Sequence, residues 1–153
     1  MLGADEIEEL IRRCNSHPDA FFVGPRQEQV VAAAEAALGH SLPVDYRTFV
    51  LRLGAGSVRS SEIYGVIREP FEGPIPCAVW STITERLPPS NLPDGMIVVG
   101  ADGMGGLYVV DTAEEKDPPV RVWNGGRSTA DDELEVIASG FAAHLRSILD
   151  FEK

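Results

Sequence analysis

The stretch Glu35-Ala36-Ala37-Leu38-Gly39-His40-Ser41-Leu42-Pro43-Val44-Asp45-Tyr46-Arg47-Thr48-Phe49 decides how the chain is read. Its first residues complete an apolar helical face made of Val30, Val31, Ala34, Ala37 and Leu38. Gly39 then stands where a helix releases into a left-handed glycine. Pro43 opens a second helix, because its fixed φ suits a first turn and its missing N–H is not needed there. From that point Tyr46, Phe49, Val50 and Leu53 fall at i, i+3, i+4 and i+7, one stripe of a 3.6-residue period. Two helices joined by a short turn follow, with Tyr46 and Phe49 as the expected core anchors. Gly54-Ala55-Gly56 stops the second of them.

Upstream, Gly24-Pro25 is expected to start the first of these two helices. Before it, Ile7, Leu10, Ile11 and Cys14 form another apolar stripe, with Glu8–Arg12 and Glu9–Arg13 as i, i+4 pairs on the outer side. His17-Pro18-Asp19 ends that helix, since a residue preceding proline is pushed out of the α region. Downstream the period changes. Ile63 to Ile67 is a short β-prone run, Ala78 to Leu87 a short helix, and residues 88–95 a proline-rich loop. Met96–Val99 and Leu107–Val110 read as a hairpin around the glycine-rich turn Gly100 to Gly106. Val120-Arg121-Val122-Trp123 alternates as another strand, and Phe141, Leu145, Ile148 and Leu149 make a last helical stripe. Helices, then strands, then a helix is an α+β order, with an antiparallel-rich sheet packed by helices mainly on one face.

The 153 residues suit one domain, and 44% hydrophobic with 24% charged residues suits a globular one. With 13 basic and 24 acidic residues, the net charge is −11. A chain this acidic repels phosphate, so neither a nucleic acid nor a membrane is an expected partner. Two cysteines make no disulfide framework, and the acidic N-terminus lacks the basic and apolar regions of a signal peptide. A cytoplasmic location is the expectation.

The helix–glycine–Leu-Pro-x-Asp-Tyr pattern of residues 35–49 resembles the SUKH superfamily, the group of the Smi/Knr-type proteins. Ile97-Val98-Val99-Gly100-Ala101-Asp102-Gly103 with Leu107 to Asp111 resembles its central hairpin, and Ile137-Ala138-Ser139-Gly140-Phe141 its closing helix. The chain departs from the pattern at Gly54-Ala55-Gly56, where an asparagine often precedes the glycines, and at Gly106, where an acidic residue is common. The resemblance implies a single SUKH-like domain over residues 1–153, with an N-terminal helix at 1–17 and a family core at 25–150. It implies no enzyme and no cofactor. It implies either an immunity protein that neutralises a bacterial toxin domain or a regulator or scaffold of the fungal cell-wall type. A small-ligand-binding domain, or a hydrolase with a cleft assembled only in space, is the reading from another class.

Candidates for chemistry are few. Cys14-x-x-His17 has the spacing of half a zinc site, but no second pair follows, so a core cysteine and a helix-end histidine are expected and no metal. The glycines of 100–106 precede a strand rather than the helix a phosphate cradle needs, which favours a hairpin turn. His40 lies in a turn without a neighbouring nucleophile, and His144 precedes Leu145 and is expected to point partly outward.

A protein partner has more support. Arg121 and Trp123 share the strand face opposite Val120 and Val122. Trp123 is therefore either an interface anchor or the cap of a small second core beside Tyr108. Acidic residues crowd the same part of the chain: residues 93–153 carry −7 and residues 1–92 carry −4. Glu114, Glu115, Asp117, Asp131, Asp132 and Glu133 are the candidate steering charges for a basic toxin domain, with Trp123 and Arg121 as contacts.

Overall fold

A computed structural model describes residues 2–71, 77–113 and 116–151. Five helices and seven strands follow in the order α1 (Leu2–Ser16), β1 (Ala20–Phe22), α2 (Glu28–Leu38), α3 (Val44–Leu53), β2 (Gly56–Val58), β3 (Ser61–Ile63), α4 (Ala78–Glu85), β4 (Met96–Ala101), β5 (Gly106–Asp111), β6 (Val120–Asn124), β7 (Val136–Ala138) and α5 (Phe141–Asp150). The architecture is α+β. The strands form two antiparallel sheets where the sequence suggested one: β1-β2-β3, and a meander β4-β5-β6-β7.

The stripes read from the sequence become the core. Ile7, Leu10, Ile11 and Cys14 of α1 are buried, as are Tyr46, Phe49, Val50 and Leu53 of α3. Helices α1, α3 and α5 pack on one another. Phe49 sits among three rings: Phe22 at 5.9 Å, Tyr46 at 6.3 Å and Phe141 at 5.2 Å. The Tyr46 hydroxyl donates to the Tyr64 carbonyl at 2.6 Å, so the one polar atom of that ring is satisfied inside the core.

Gly39 closes α2 at φ 82° with its N–H on the Glu35 carbonyl, and Pro43 caps α3, both as expected. Helix α2, however, starts at Glu28, not at Pro25. The backbone of residues 23–26 is taken: Val23, Gly24 and Arg26 donate to the carbonyls of Ala55, Leu53 and Leu51. A segment bonded alongside the end of α3 cannot also be the first turn of α2. Ala37 is exposed, and the α2 face narrows to Val31, Ala34 and Leu38.

Gly54-Ala55-Gly56 stops α3 and also leads straight into β2. A Cβ on Gly56 would lie 2.0 Å from the Phe21 carbonyl oxygen, so only glycine lets β1 and β2 meet at that register.

The four-stranded sheet has two different faces. Ile97, Val99, Val110 and Val120 point into the main core with the helices. Val98, Val109 and Trp123 point the other way, into a second small core closed by Leu92. The outer edge of β4 is covered rather than left open. The Val98 N–H donates to Thr82 Oγ1 of α4 at 2.9 Å, and the Val99 carbonyl accepts from Tyr64 N–H at 3.0 Å. The pairing register with β5 shifts at the same place, between Val98 and Gly100.

Candidate functional site: an acidic groove beside the last helix

Three distant pieces of chain meet at a groove of about 730 Å³. One wall is the β2–β3 turn with Glu62 and Tyr64, another is the tip of the β4–β5 hairpin with Asp102 and Met104, and α5 with Phe151 closes the third side. Tyr108 and His144 also line it.

Each wall is fixed by a local device. Arg59 adopts φ 56° at the β2–β3 turn, and its N–H donates to the Asp19 carbonyl at 2.8 Å. Its guanidinium donates to the Ile148 carbonyl near the end of α5 and lies 2.9 Å from His17 Nε2. A cation at helix carbonyls is favourable, so Arg59 clamps the turn to α5. At the hairpin tip, Asp102 Oδ1 accepts from Met104 N–H at 2.7 Å and from Gly106 N–H at 2.9 Å. Gly103 and Gly105 have φ of 81° and 98°. The glycine run is therefore a hairpin turn, and two amides that a phosphate would need are already held by a carboxylate.

His144 does not point outward, contrary to the sequence expectation. It is 4% exposed, and its ring meets Tyr108 edge-on at 4.8 Å between centroids. Burial pushes its pKa down to about 4, so the imidazole is neutral at physiological pH. The phenols of Tyr64 and Tyr108 are both pushed up. Burial is the main cause, followed by Glu62 and Glu85 for Tyr64, and by Asp102 and Glu135 for Tyr108. Of these carboxylates, Glu62 and Asp102 line the groove, one on each of its first two walls. Met104 is 87% and Phe151 62% exposed, which puts two large apolar side chains at its rim.

The residues singled out in the sequence fare unevenly. Trp123 is completely buried, and its indole N–H donates to Ser90 Oγ at 3.0 Å. It is the centre of the second core and not an exposed anchor. Its neighbour across the sheet is Leu107, while Tyr108 faces the helices. Arg121 is half-buried and already has an interaction partner. Asp117 accepts from the Asp45 N–H at 2.7 Å, so its carboxylate serves the N-terminus of α3 rather than a distant partner. Glu114 and Glu115 lie outside the described residues. Asp131, Asp132 and Glu133 are exposed, and none of them lines the groove. Asp132 also holds a turn, accepting from Thr129 N–H and hydroxyl at 2.8 Å and 3.1 Å.

The other candidates are structural. The Cys14 thiol is buried in the core and its pKa is pushed up to about 12, which leaves it a poor nucleophile or ligand. His17 turns away from it, toward Asp19 and Arg59. His40 pairs with Asp94 at 2.8 Å and ties the α2–α3 turn to the loop before β4. Among the described residues, no group of three or more His, Cys, Asp or Glu could hold a metal ion. Nor is any helix among them long and apolar enough to cross a membrane.

Sequence reasoning missed Glu62, Tyr64, Asp102, Met104, Tyr108 and Phe151 as neighbours in one groove. One signal was available: Met104 stands among glycines in a turn, where nothing local can bury it.

Helical stripes packed on antiparallel strands make this an α+β domain with an acidic, apolar-rimmed groove beside its last helix. The SUKH_6 family model, described as SMI1-KNR4 cell-wall, matches residues 28–145. The chain belongs to the SUKH superfamily. No curated protein matches it in sequence.

Proposed function

We propose that this protein is a non-catalytic protein-binding module, an immunity protein that neutralises a bacterial toxin domain in the cytoplasm. The observation that carries the reading is the acidic groove with exposed Met104 and Phe151 at its rim, in a chain of this superfamily. Large apolar side chains left in water beside carboxylates suit a protein surface that brings both positive charge and apolar area. The net charge of −11 supports the same choice, because it accelerates encounter with a basic domain and opposes encounter with nucleic acid.

The test is co-expression with the protein encoded by the adjacent gene. The expected outcome is a stoichiometric complex and survival of cells that the neighbour alone kills. If the neighbour is harmless and a cell-wall synthesis component co-purifies stoichiometrically instead, the protein is a regulator or scaffold and the immunity reading fails.

A further inference from the structure

The tyrosines and carboxylates of the groove have a more specific use. Glu62 lies near Tyr64, and Asp102 lies near Tyr108. Both side-chain bonds at the hairpin turn use Asp102 Oδ1; Oδ2 takes part in neither and lies against Gly106. Among the described lining residues there is no lysine or arginine. The nearest cation on the turn, Arg59, is committed to Ile148 and His17. His144 adds no positive charge at neutral pH. Two carboxylates and two phenol rings therefore surround a space with no counter-ion from its own walls. Carboxylates attract a cation by charge, and aromatic faces attract it through their quadrupole. Met104 and Phe151 offer apolar area for the stem that carries the charge.

We infer that the groove seats a lysine or arginine side chain presented by an apolar loop of the partner protein, with Glu62 and Asp102 as counter-charges, Tyr64 and Tyr108 as walls, and Met104 and Phe151 as the rim. The inference rests on the protein-binding reading above and names the chemistry of the partner's contact. It also moves the binding face from the region of Trp123 to the opposite side of the sheet, next to α5.

The experiment uses the full chain, isotope-labelled for NMR, and two probes: the capped tripeptides Leu-Arg-Leu and Leu-Glu-Leu. The arginine peptide is expected to shift the amide signals of Glu62, Tyr64, residues 101–104 and residues 147–151, and the glutamate peptide to shift none of them. Glu62→Gln with Asp102→Asn should weaken the arginine peptide by about tenfold, the loss of one good charged contact. Asparagine keeps an Oδ1 acceptor for the turn, so the melting temperature should hold. Glu62→Gln alone is the safeguard should the pair disturb the hairpin. Met104→Ser with Phe151→Ser should weaken binding by a further, smaller factor.

Equal response to both peptides, shifts centred on residues 131–133, or an undiminished affinity in the Gln/Asn variant would each overturn the inference. Signals of the groove that move with protein concentration alone would make the occupant a second copy, and would overturn it too. The two readings fail separately. Peptide binding in the groove with no complex from the adjacent gene sinks the immunity role only. A stable complex that is indifferent to Glu62→Gln and Asp102→Asn sinks the groove only.

Discussion

The two faces of the four-stranded sheet are built from the same strands and held in different ways. On the helix face, Ile97, Val99, Val110 and Val120 share one core with side chains from all five helices. On the other face, Val98, Val109 and Trp123 meet Leu92, with Met96, Leu107 and Leu134 around them. The first face is closed by regular elements whose own backbones are satisfied. The second is closed largely by the loop between α4 and β4, and one side-chain bond, Trp123 to Ser90, fixes the large ring beneath it. A core covered by helices resists relaxation when a side chain is removed. A core covered by a loop can partly collapse onto the gap, and cavity cost falls with such collapse.

The largest expected effect is therefore on the helix face. Phe49→Ala removes a ring packed against three others and should destabilise by roughly 3–5 kcal/mol in urea unfolding. Trp123→Ala removes a bigger side chain yet should cost less than Phe49→Ala, about 3 kcal/mol, because the loop bearing Leu92 can follow it. If the tryptophan variant proves the less stable of the two, the loop is as rigid as the helices and the contrast between the faces is wrong.

The next effect is one of pH and belongs to the helix face alone. His144 has a folded-state pKa near 4 against its ordinary 6.5, so between those values the unfolded chain binds the extra proton. Its contribution is complete above about pH 6.5 and is lost as pH falls toward 4, by up to something on the order of 3 kcal/mol. Asp45 works in the opposite sense. Burial first, then the carboxylates of Asp117 and Glu6, push its pKa up from 3.8 to about 6. Between those values the folded state holds the extra proton, so the penalty of this buried carboxylate eases as pH falls. The two slopes oppose each other from about pH 6 down to 4. The wild-type stability curve should be shallow there, steep in Asp45→Asn, and reversed in His144→Phe. Parallel curves for all three proteins would mean that neither group carries its shift.

On the loop face the same kind of probe is smaller. Ser90→Ala leaves the Trp123 indole N–H buried without its acceptor, which should cost about 1–2 kcal/mol by thermal or chemical unfolding. Trp123→Phe in the Ser90→Ala background removes the stranded donor and should recover part of that loss. No recovery would show that the ring's volume, rather than its hydrogen bond, fixes the loop.

These contrasts also explain what the sequence could and could not disclose. The α1 and α3 stripes, the Gly39–Pro43 connection and the β4–β5 hairpin depend on neighbours within a few residues, so period and turn chemistry reveal them. Strands β1, β2 and β7 are three residues each and exist only through partners elsewhere in the chain, too short for alternation to register. Alternation did place Arg121 and Trp123 opposite the helices, but nothing near them announces that Ser90 and Leu92 will return to cover that side. Asp117 looked like a surface charge because the amide it serves, on Asp45, is 72 residues away. The groove is the extreme case, since residues 60–64, 101–108 and 137–151 become neighbours only after both sheets are formed.

The smallest expected effect on stability separates the groove from the exposed charges beyond β6. Asp131→Asn with Glu133→Gln removes two exposed carboxylates and spares Asp132, which holds Thr129. Exposed charges without fixed partners contribute little, so unfolding should change by no more than about 0.5 kcal/mol. Their effect belongs to association. A charged patch outside the contact raises the rate of encounter and leaves the dissociation rate nearly alone, whereas a charge inside the contact changes dissociation. With the cognate partner, this variant should therefore associate more slowly and with a flatter salt dependence, at an unchanged off-rate. Glu62→Gln should do the reverse, with faster dissociation and a smaller change in on-rate. Surface plasmon resonance over a range of salt measures both. If Asp131→Asn with Glu133→Gln speeds dissociation and Glu62→Gln does not, the contact lies on the β6–β7 side and the groove is only a fold in the surface.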